Sequence, residues 1–177
     1  MTIYRVELDS EHYMSMEIPG KTVINIMRGS IPGQSLAASW KDVSGSLSQS
    51  DETAKNNLIP DITRWYTHLA FSAAAFNQLK DKLEGYGEFL PVSTQIGVWY
   101  VFNVLATEEV DKSRSEAEIV NGVQVGVIRI TFKNSSPDKA VFKTDFDKCS
   151  RIFCTEAFKE LVDACNYKGL TFESELV

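Results

Sequence analysis

The stretch that decides the fold is LAFSAAAFNQLKDKLEGYG, residues 69–87. Its first three residues are apolar and predict a short strand. Ser72 is suited to cap a helix, because its hydroxyl can accept a hydrogen bond from an amide of the first turn. Gly85 and Gly87 can supply the positive φ that ends a helix, and Glu88 begins another strand-like run. Apolar residues recur between cap and glycines at helical spacing on one face, at Ala75, Phe76, Leu79 and Leu83.

A second stretch, RIFCTEAFKELVDACNYKG at residues 151–169, matches the first without a gap. Six aligned positions are identical at a constant offset of 82, where roughly one identity is expected by chance. Two amphipathic helices share some matches through pattern alone, which is the alternative explanation. We favour a repeated strand–helix–strand unit. The fold class expected is α+β, with a mostly antiparallel or mixed sheet.

Alternating or apolar runs predict further strands. Ile3–Leu8 alternates with period two, and Ile96–Leu105 is apolar on both faces apart from Asn103, as in a covered central strand. Val123–Phe132 changes phase near Gly126, which predicts a bulge. Shorter strands are expected in three further ranges, of which the last should pair back as a hairpin: Val23–Met27, Leu36–Val43 and Ala140–Lys143.

The length of 177 residues suits one domain. The polar segment 44–57 reads as a surface loop, and leaves open a small N-terminal β lobe (1–57) beside a main α+β part (58–177). No run approaches the roughly 18 apolar residues of a membrane helix, and the N-terminus lacks a secretion signal. We therefore expect a cytoplasmic protein without a membrane contact.

Few features of the sequence indicate catalysis. No phosphate-binding, zinc-protease or nucleophile-elbow motif is present. Two histidines cannot form a multi-histidine metal site, and three cysteines at loose spacing favour buried thiols over zinc. We expect no metal, no cofactor and no enzymatic activity. An enzyme would be favoured if a deep pocket gathered Asp61, His68 or Glu88 with shifted pKa values.

The charge points toward a protein partner. The chain has 24 acidic and 18 basic residues, a net charge of −6, which argues against nucleic-acid binding and suits a partner with a basic surface. The charged connector 108–118 and the loop 44–57 are the expected contact regions. The candidate partner-binding residues, chosen as acidic or aromatic, are Asp51, Glu52, Trp65, Tyr66, Glu108, Glu109, Asp111 and Glu116.

The order of several short motifs resembles a known bacterial family. Pro60-Asp61-Ile62 precedes Leu69–Ser72, and Gly87–Pro91 precedes an aromatic strand ending at Phe102-Asn103. Near the C-terminus, Ile152-Phe153 leads into a helix and then Gly169–Phe172. Over residues 58–175 this order is similar to that of a domain-of-unknown-function family reassigned as immunity proteins of polymorphic toxin systems.

This resemblance implies a protein that binds a cognate toxin domain and neutralises it by occlusion. It carries over no catalytic residues. Two alternatives stay open: a protein-interaction or small-ligand-binding module unrelated to toxins, and an uncharacterised enzyme that assembles its site from scattered residues.

Overall fold

The computed structural model describes residues 2–49 and 55–174. The fold is α+β with antiparallel sheets, as predicted. Three helices and twelve strands are described: β1 Ile3–Leu8, β2 Ser15–Glu17, α1 Gly20–Met27, β3 Ser46–Ser48, β4 Ile62–Trp65, β5 His68–Ser72, α2 Ala73–Leu83, β6 Gly87–Thr94, β7 Gly97–Val104, β8 Glu116–Val120, β9 Val123–Arg129, β10 Val141–Phe142, β11 Ile152–Thr155, α3 Glu156–Ala164 and β12 Leu170–Glu173.

Two four-stranded sheets contain the repeated units. Their strand orders are β4-β5-β7-β6 and β10-β11-β1-β12. In each sheet the strands before and after the helix flank one further antiparallel strand, β7 in the first sheet and β1 in the second. The predicted repeat is therefore confirmed. The second unit is completed by β1, a strand from the other end of the chain.

The protein has three hydrophobic cores, and successive residues of a strand face different cores. Leu69 and Phe71 of β5 and Ile152 of β11 belong to one shared core, in which the inner faces of α2 and α3 are also buried. Ala70, between the two β5 residues, belongs to a second core, which is covered by residues 16–47. The outer face of the other sheet packs in a third core with Phe132 and neighbouring residues. As predicted, β7 is central and covered on both faces.

Two predicted strands near the N-terminus were wrong. Residues 20–27 form α1, following Pro19, because Val23 and Ile26 pack into the second core at a spacing of three residues. The range Leu36–Val43 contains a single 3-10 turn, Ala37–Ser39, in place of a strand. Trp40 remains buried there, and its indole N–H donates to the carbonyl of Pro91 at 2.7 Å.

Two local predictions in the second half also need correction. Residues 140–143 contain β10, which pairs with β11 and forms no hairpin with β9. Helix α2 begins at its predicted cap, since Ser72 accepts from the amide of Ala75, but it ends in a 3-10 turn without a positive φ at either glycine. Gly87 has a different role, because a Cβ there would lie 2.3 Å from the carbonyl oxygen of Asn103.

The N-terminal segment is divided between the two sheets. Strand β1 is central in the sheet of β11 and β12, so residues 3–8 belong to the main part and not to a separate lobe. Residues 15–48 carry the small β2–β3 sheet and α1, and they pack on the outer face of β5, β6 and β7. No helix in the described ranges has the length and hydropathy needed to cross a membrane.

Candidate functional site

Three of the predicted acidic residues line one surface groove. Glu108, Glu109 and Asp111 lie in the connector between β7 and β8, which borders a groove of about 940 Å³. The connector is held in place at both sides. Glu108 N donates to the carbonyl of Lys143 at 2.9 Å, and Asp111 N donates to the carbonyl of Thr131 at 2.7 Å. The connector, which was predicted to be exposed, thus forms one side of the groove and is held there by backbone hydrogen bonds.

The three carboxylates of this connector are already engaged. Glu108 pairs with Lys139 at 2.7 Å and is largely buried, and Glu109 pairs with Lys133 at 2.5 Å. Asp111 accepts from the hydroxyl of Ser113 at 2.6 Å. The hydrogen bond from Lys133 lowers the pKa of Glu109, and that from Ser113 lowers the pKa of Asp111. Both groups are therefore anionic at neutral pH, and Glu109 and Asp111 remain open to solvent.

Beside this connector, β8 and β9 form a two-stranded hairpin that pairs only with itself among the described strands. Glu116, another of the predicted acidic residues, is exposed at the start of this hairpin. A bulge next to Gly126 is confirmed by the register, which skips Val125. The hairpin also exposes large aliphatic side chains, each between 48% and 60% accessible: Ile119, Val120, Val123, Val125 and Ile128.

The two predicted aromatic contacts have different surroundings. Trp65 is 2% exposed and packs edge-on against Trp40 in the second core, so its ring is not accessible to a partner. Tyr66 lies in the β4–β5 turn with a positive φ and is 67% exposed. Neither residue lines the groove at the connector. Asp51 and Glu52 lie outside the described residues.

A separate cavity of about 350 Å³ lies between the loop after α1, the start of β5 and the segment that follows β10. Its floor is formed by residues at strand ends: His68 begins β5, Asn103 is near the end of β7, and Lys143 follows β10. Residues of the loop after α1 cover it, including Ile31 and Pro32. Cavities of this size are large enough for a small organic molecule.

Hydrogen bonds fix the loop that covers the cavity. Asn103 Nδ2 donates to the carbonyl of Gln34 and to Glu88 Oε1, both at 2.9 Å. Glu88 also accepts from the hydroxyl of Ser35 and the amide of Leu36, each at 2.7 Å. Glu88 therefore holds the loop from outside the cavity. Asp61 is elsewhere and accepts from the amide of Lys168 at 2.9 Å.

Burial shifts the pKa values of three groups that line the cavity. It lowers the pKa of His68 to about 3, aided by the charge of Lys143, so the imidazole is neutral. It lowers the pKa of Lys143 to about 8 and raises that of the Cys149 thiol to about 11. Cys149 is thus a protonated thiol at neutral pH, a poor nucleophile. No group of three or more potential metal ligands occurs in residues 2–49 and 55–174.

Sequence reasoning found only part of this cavity. His68 and Glu88 were named as residues whose presence in a pocket would favour an enzyme. His68 lines the cavity, and Glu88 binds the loop that covers it. Lys143 was missed, because it lies in a short run interpreted as a hairpin strand. A signal was available for Asn103, the one polar residue in the apolar β7 run, since buried polar residues in such runs need partners.

Comparison of the chain with models of known protein families finds no match, and comparison with curated proteins finds no significant match either.

Proposed function

We propose that the protein neutralises a cognate bacterial toxin domain by binding it and covering its active site. The observation that carries the proposal is the β8–β9 hairpin with its exposed aliphatic side chains. Monomeric proteins rarely expose a contiguous apolar patch unless it binds something. The resemblance of residues 58–175 to immunity proteins suggests that this partner is a toxin domain.

The surroundings of the hairpin favour a partner with a basic rim. The adjacent groove carries Glu109, Asp111 and the exposed Asp145, and the hairpin itself carries Glu116 and Glu118. An apolar centre beside charged groups is the arrangement of a specific protein interface. Opposite charge on the toxin would accelerate encounter, and burial of the aliphatic side chains would slow dissociation.

Occlusion fits the unpaired edges of the hairpin. The hairpin is held against the segment after β10, because Gln124 Nε2, next to the turn, donates to the carbonyl of Phe146 at 2.8 Å and Arg151 donates to the carbonyl of Val127 at 3.1 Å. Its outer edges carry no strand partner among the described residues. An unpaired edge of this kind can pair with an edge strand of the partner. Under this proposal the protein acts in the cytoplasm of the toxin-producing cell.

Co-expression with the toxin domain encoded beside this chain tests the proposal. We expect growth to be rescued and the two proteins to co-purify. Val125→Lys should abolish both, because it places a cation among the exposed aliphatic side chains of the hairpin. The matched control is Val98→Lys, an exposed strand valine in β7 away from the hairpin, which should still rescue. Failure of the wild-type chain to rescue or to form a complex would reject the toxin partner.

A further inference from the structure

The cavity beside the loop after α1 is lined by Lys143, a buried lysine that forms no salt bridge within the described residues. Lys143 is 1% exposed, and within the described residues no carboxylate oxygen lies within 4 Å of its Nζ. Its backbone is fixed, because its amide donates to the carbonyl of Ala106 at 2.9 Å. A buried ammonium without a compensating charge is costly, so an anion that enters the cavity would be strongly favoured.

The neighbouring groups do not supply that anion. Asp147 affects the pKa of Lys143 only from beyond 4 Å, and its Oδ2 accepts from the amide of Arg151 at 3.1 Å. Glu88 is engaged by Ser35, Leu36 and Asn103. The charge of Arg64 further disfavours additional positive charge, since it lowers the pKa of both Lys143 and His68. Asp147 and Arg64 thus act on Lys143 in opposite directions, and Asp147 does so only from a distance.

His68 gives the site a second unpaired polar atom. The ring is 5% exposed, stacks on Trp65 with centroids 5.2 Å apart, and leaves Nδ1 buried without a hydrogen-bond partner. Because its pKa is about 3, the ring is neutral and can exchange one hydrogen bond with a ligand without adding charge. The cavity thus has one buried charge and, beside it, one buried neutral imidazole.

The remaining walls are largely apolar. Met27, Ile31, Pro32 and Leu36 line the side formed by the covering loop. Lys143 supplies a single buried positive charge, which matches the charge of one carboxylate better than the larger charge of a phosphate group. We infer that the cavity binds a small organic monocarboxylate, whose carboxylate pairs with Lys143 Nζ and whose apolar part lies against the covering loop.

Calorimetric titration of the full chain tests this inference. The probes are sodium benzoate and sodium hexanoate, with benzamide as the neutral counterpart of benzoate and inorganic phosphate as the alternative anion. We expect at least one carboxylate to bind with one-to-one stoichiometry, and benzamide and phosphate to bind at least about tenfold more weakly. Equal binding of benzamide, preferred binding of phosphate, or no binding of either carboxylate would overturn the inference.

Two lysine variants locate the carboxylate. Lys143→Met should weaken binding by roughly tenfold or more, while Lys148→Met, which changes an exposed lysine at the same cavity, should alter it less than about threefold. If Lys143→Met does not fold, the wild-type chain still decides the matter. The ¹³Cε resonance of Lys143 should then shift on addition of the bound carboxylate, and an unchanged resonance would contradict the pairing.

Discussion

Asn103 and Glu88 are register partners across the β6–β7 pair, and Asn103 Nδ2 donates to Glu88 Oε1 at 2.9 Å. The same amide holds the carbonyl of Gln34. Two residues of one sheet therefore fix a loop that is distant in sequence. This relationship explains why a polar side chain occurs in the otherwise apolar β7 strand.

Replacement of Asn103 should release the covering loop. Asn103→Leu removes both donated hydrogen bonds and leaves the Gln34 carbonyl without that donor, so the free energy of unfolding should fall by about 1–3 kcal/mol. Urea denaturation measures this loss. Glu88→Gln, which keeps an acceptor for Ser35 or Leu36, should cost less. If Asn103→Leu lowers the free energy of unfolding less than Glu88→Gln does, the hydrogen bonds donated by Asn103 are not the main support of the covering loop.

Lys143 should lower the stability of the fold. Its folded pKa is about 8 against an ordinary value of 10.5, so the cost of burying its charge is present in full below pH 8 and disappears as the pH rises toward 10.5. Lys143→Met should therefore raise the free energy of unfolding at pH 7 by about 1–3 kcal/mol. Urea denaturation measures the change.

Lys139 provides the contrast for this measurement. It pairs with the largely buried Glu108 and also donates to the carbonyl of Thr107 at 2.9 Å. Lys139→Met should destabilise the protein, because it leaves the Glu108 charge uncompensated. If Lys143→Met destabilises the protein as Lys139→Met does, the burial cost assigned to Lys143 is incorrect.

His68 should make the protein sensitive to acid. The unfolded chain takes up a proton on this residue as the pH falls below 6.5, while the folded chain does not until near pH 3. The free energy of unfolding therefore decreases across that window as the pH falls. His68→Phe, which keeps an aromatic ring beside Trp65, should reduce this decrease by roughly 1–3 kcal/mol between pH 6.5 and 4.5.

Unfolding measured at a series of pH values gives the slope for each variant. His12→Gln is the matched control, since His12 lies in a part-exposed pair with Asp9. Its slope should follow the wild type more closely than that of His68→Phe. Parallel curves for His68→Phe and the wild type would show that this imidazole does not control the acid sensitivity.

The groove carboxylates should govern the rate of toxin binding if the proposed function holds. Glu109→Lys combined with Asp111→Lys should slow association with a basic toxin domain and weaken its salt dependence, with a smaller effect on dissociation. Surface plasmon resonance at two salt concentrations separates these rates. The equal-charge control is Asp81→Lys on α2 combined with Glu84→Lys in the 3-10 turn that follows it, both exposed, and an equal slowing there would assign the effect to net charge alone.

The long periodic stretches were predictable because local sequence and burial agree in them. Residues 69–87 contain a capping serine, and both they and their repeat contain an apolar helix face and flanking strands close to the expected positions. Central strand β7 was evident because both of its faces are apolar. These are the segments in which one pattern continues for several turns or strand residues.

Short segments failed because tertiary packing decides them. The apolar residues of Gly20–Met27 fit either a strand or a helix, and their packing spacing selects the helix. Strand β10 has only two residues and takes its partner from across the molecule. Lys143 directly follows it, so no local pattern could show that this lysine is buried beside His68. Which residues line this cavity is therefore determined by strand pairings between distant parts of the sequence.

The position of β1 has a consequence for how the chain folds. In the first sheet, β4, β5, β6 and β7 come from one continuous segment, so its contacts close loops of modest length. In the second sheet, Ile3 pairs with Thr155, and this contact must close nearly the whole chain. Loop-closure entropy delays such contacts. The sheet of β4–β7 can therefore form during synthesis, while β1 must remain without its sheet partners until β11 and β12 have been synthesised.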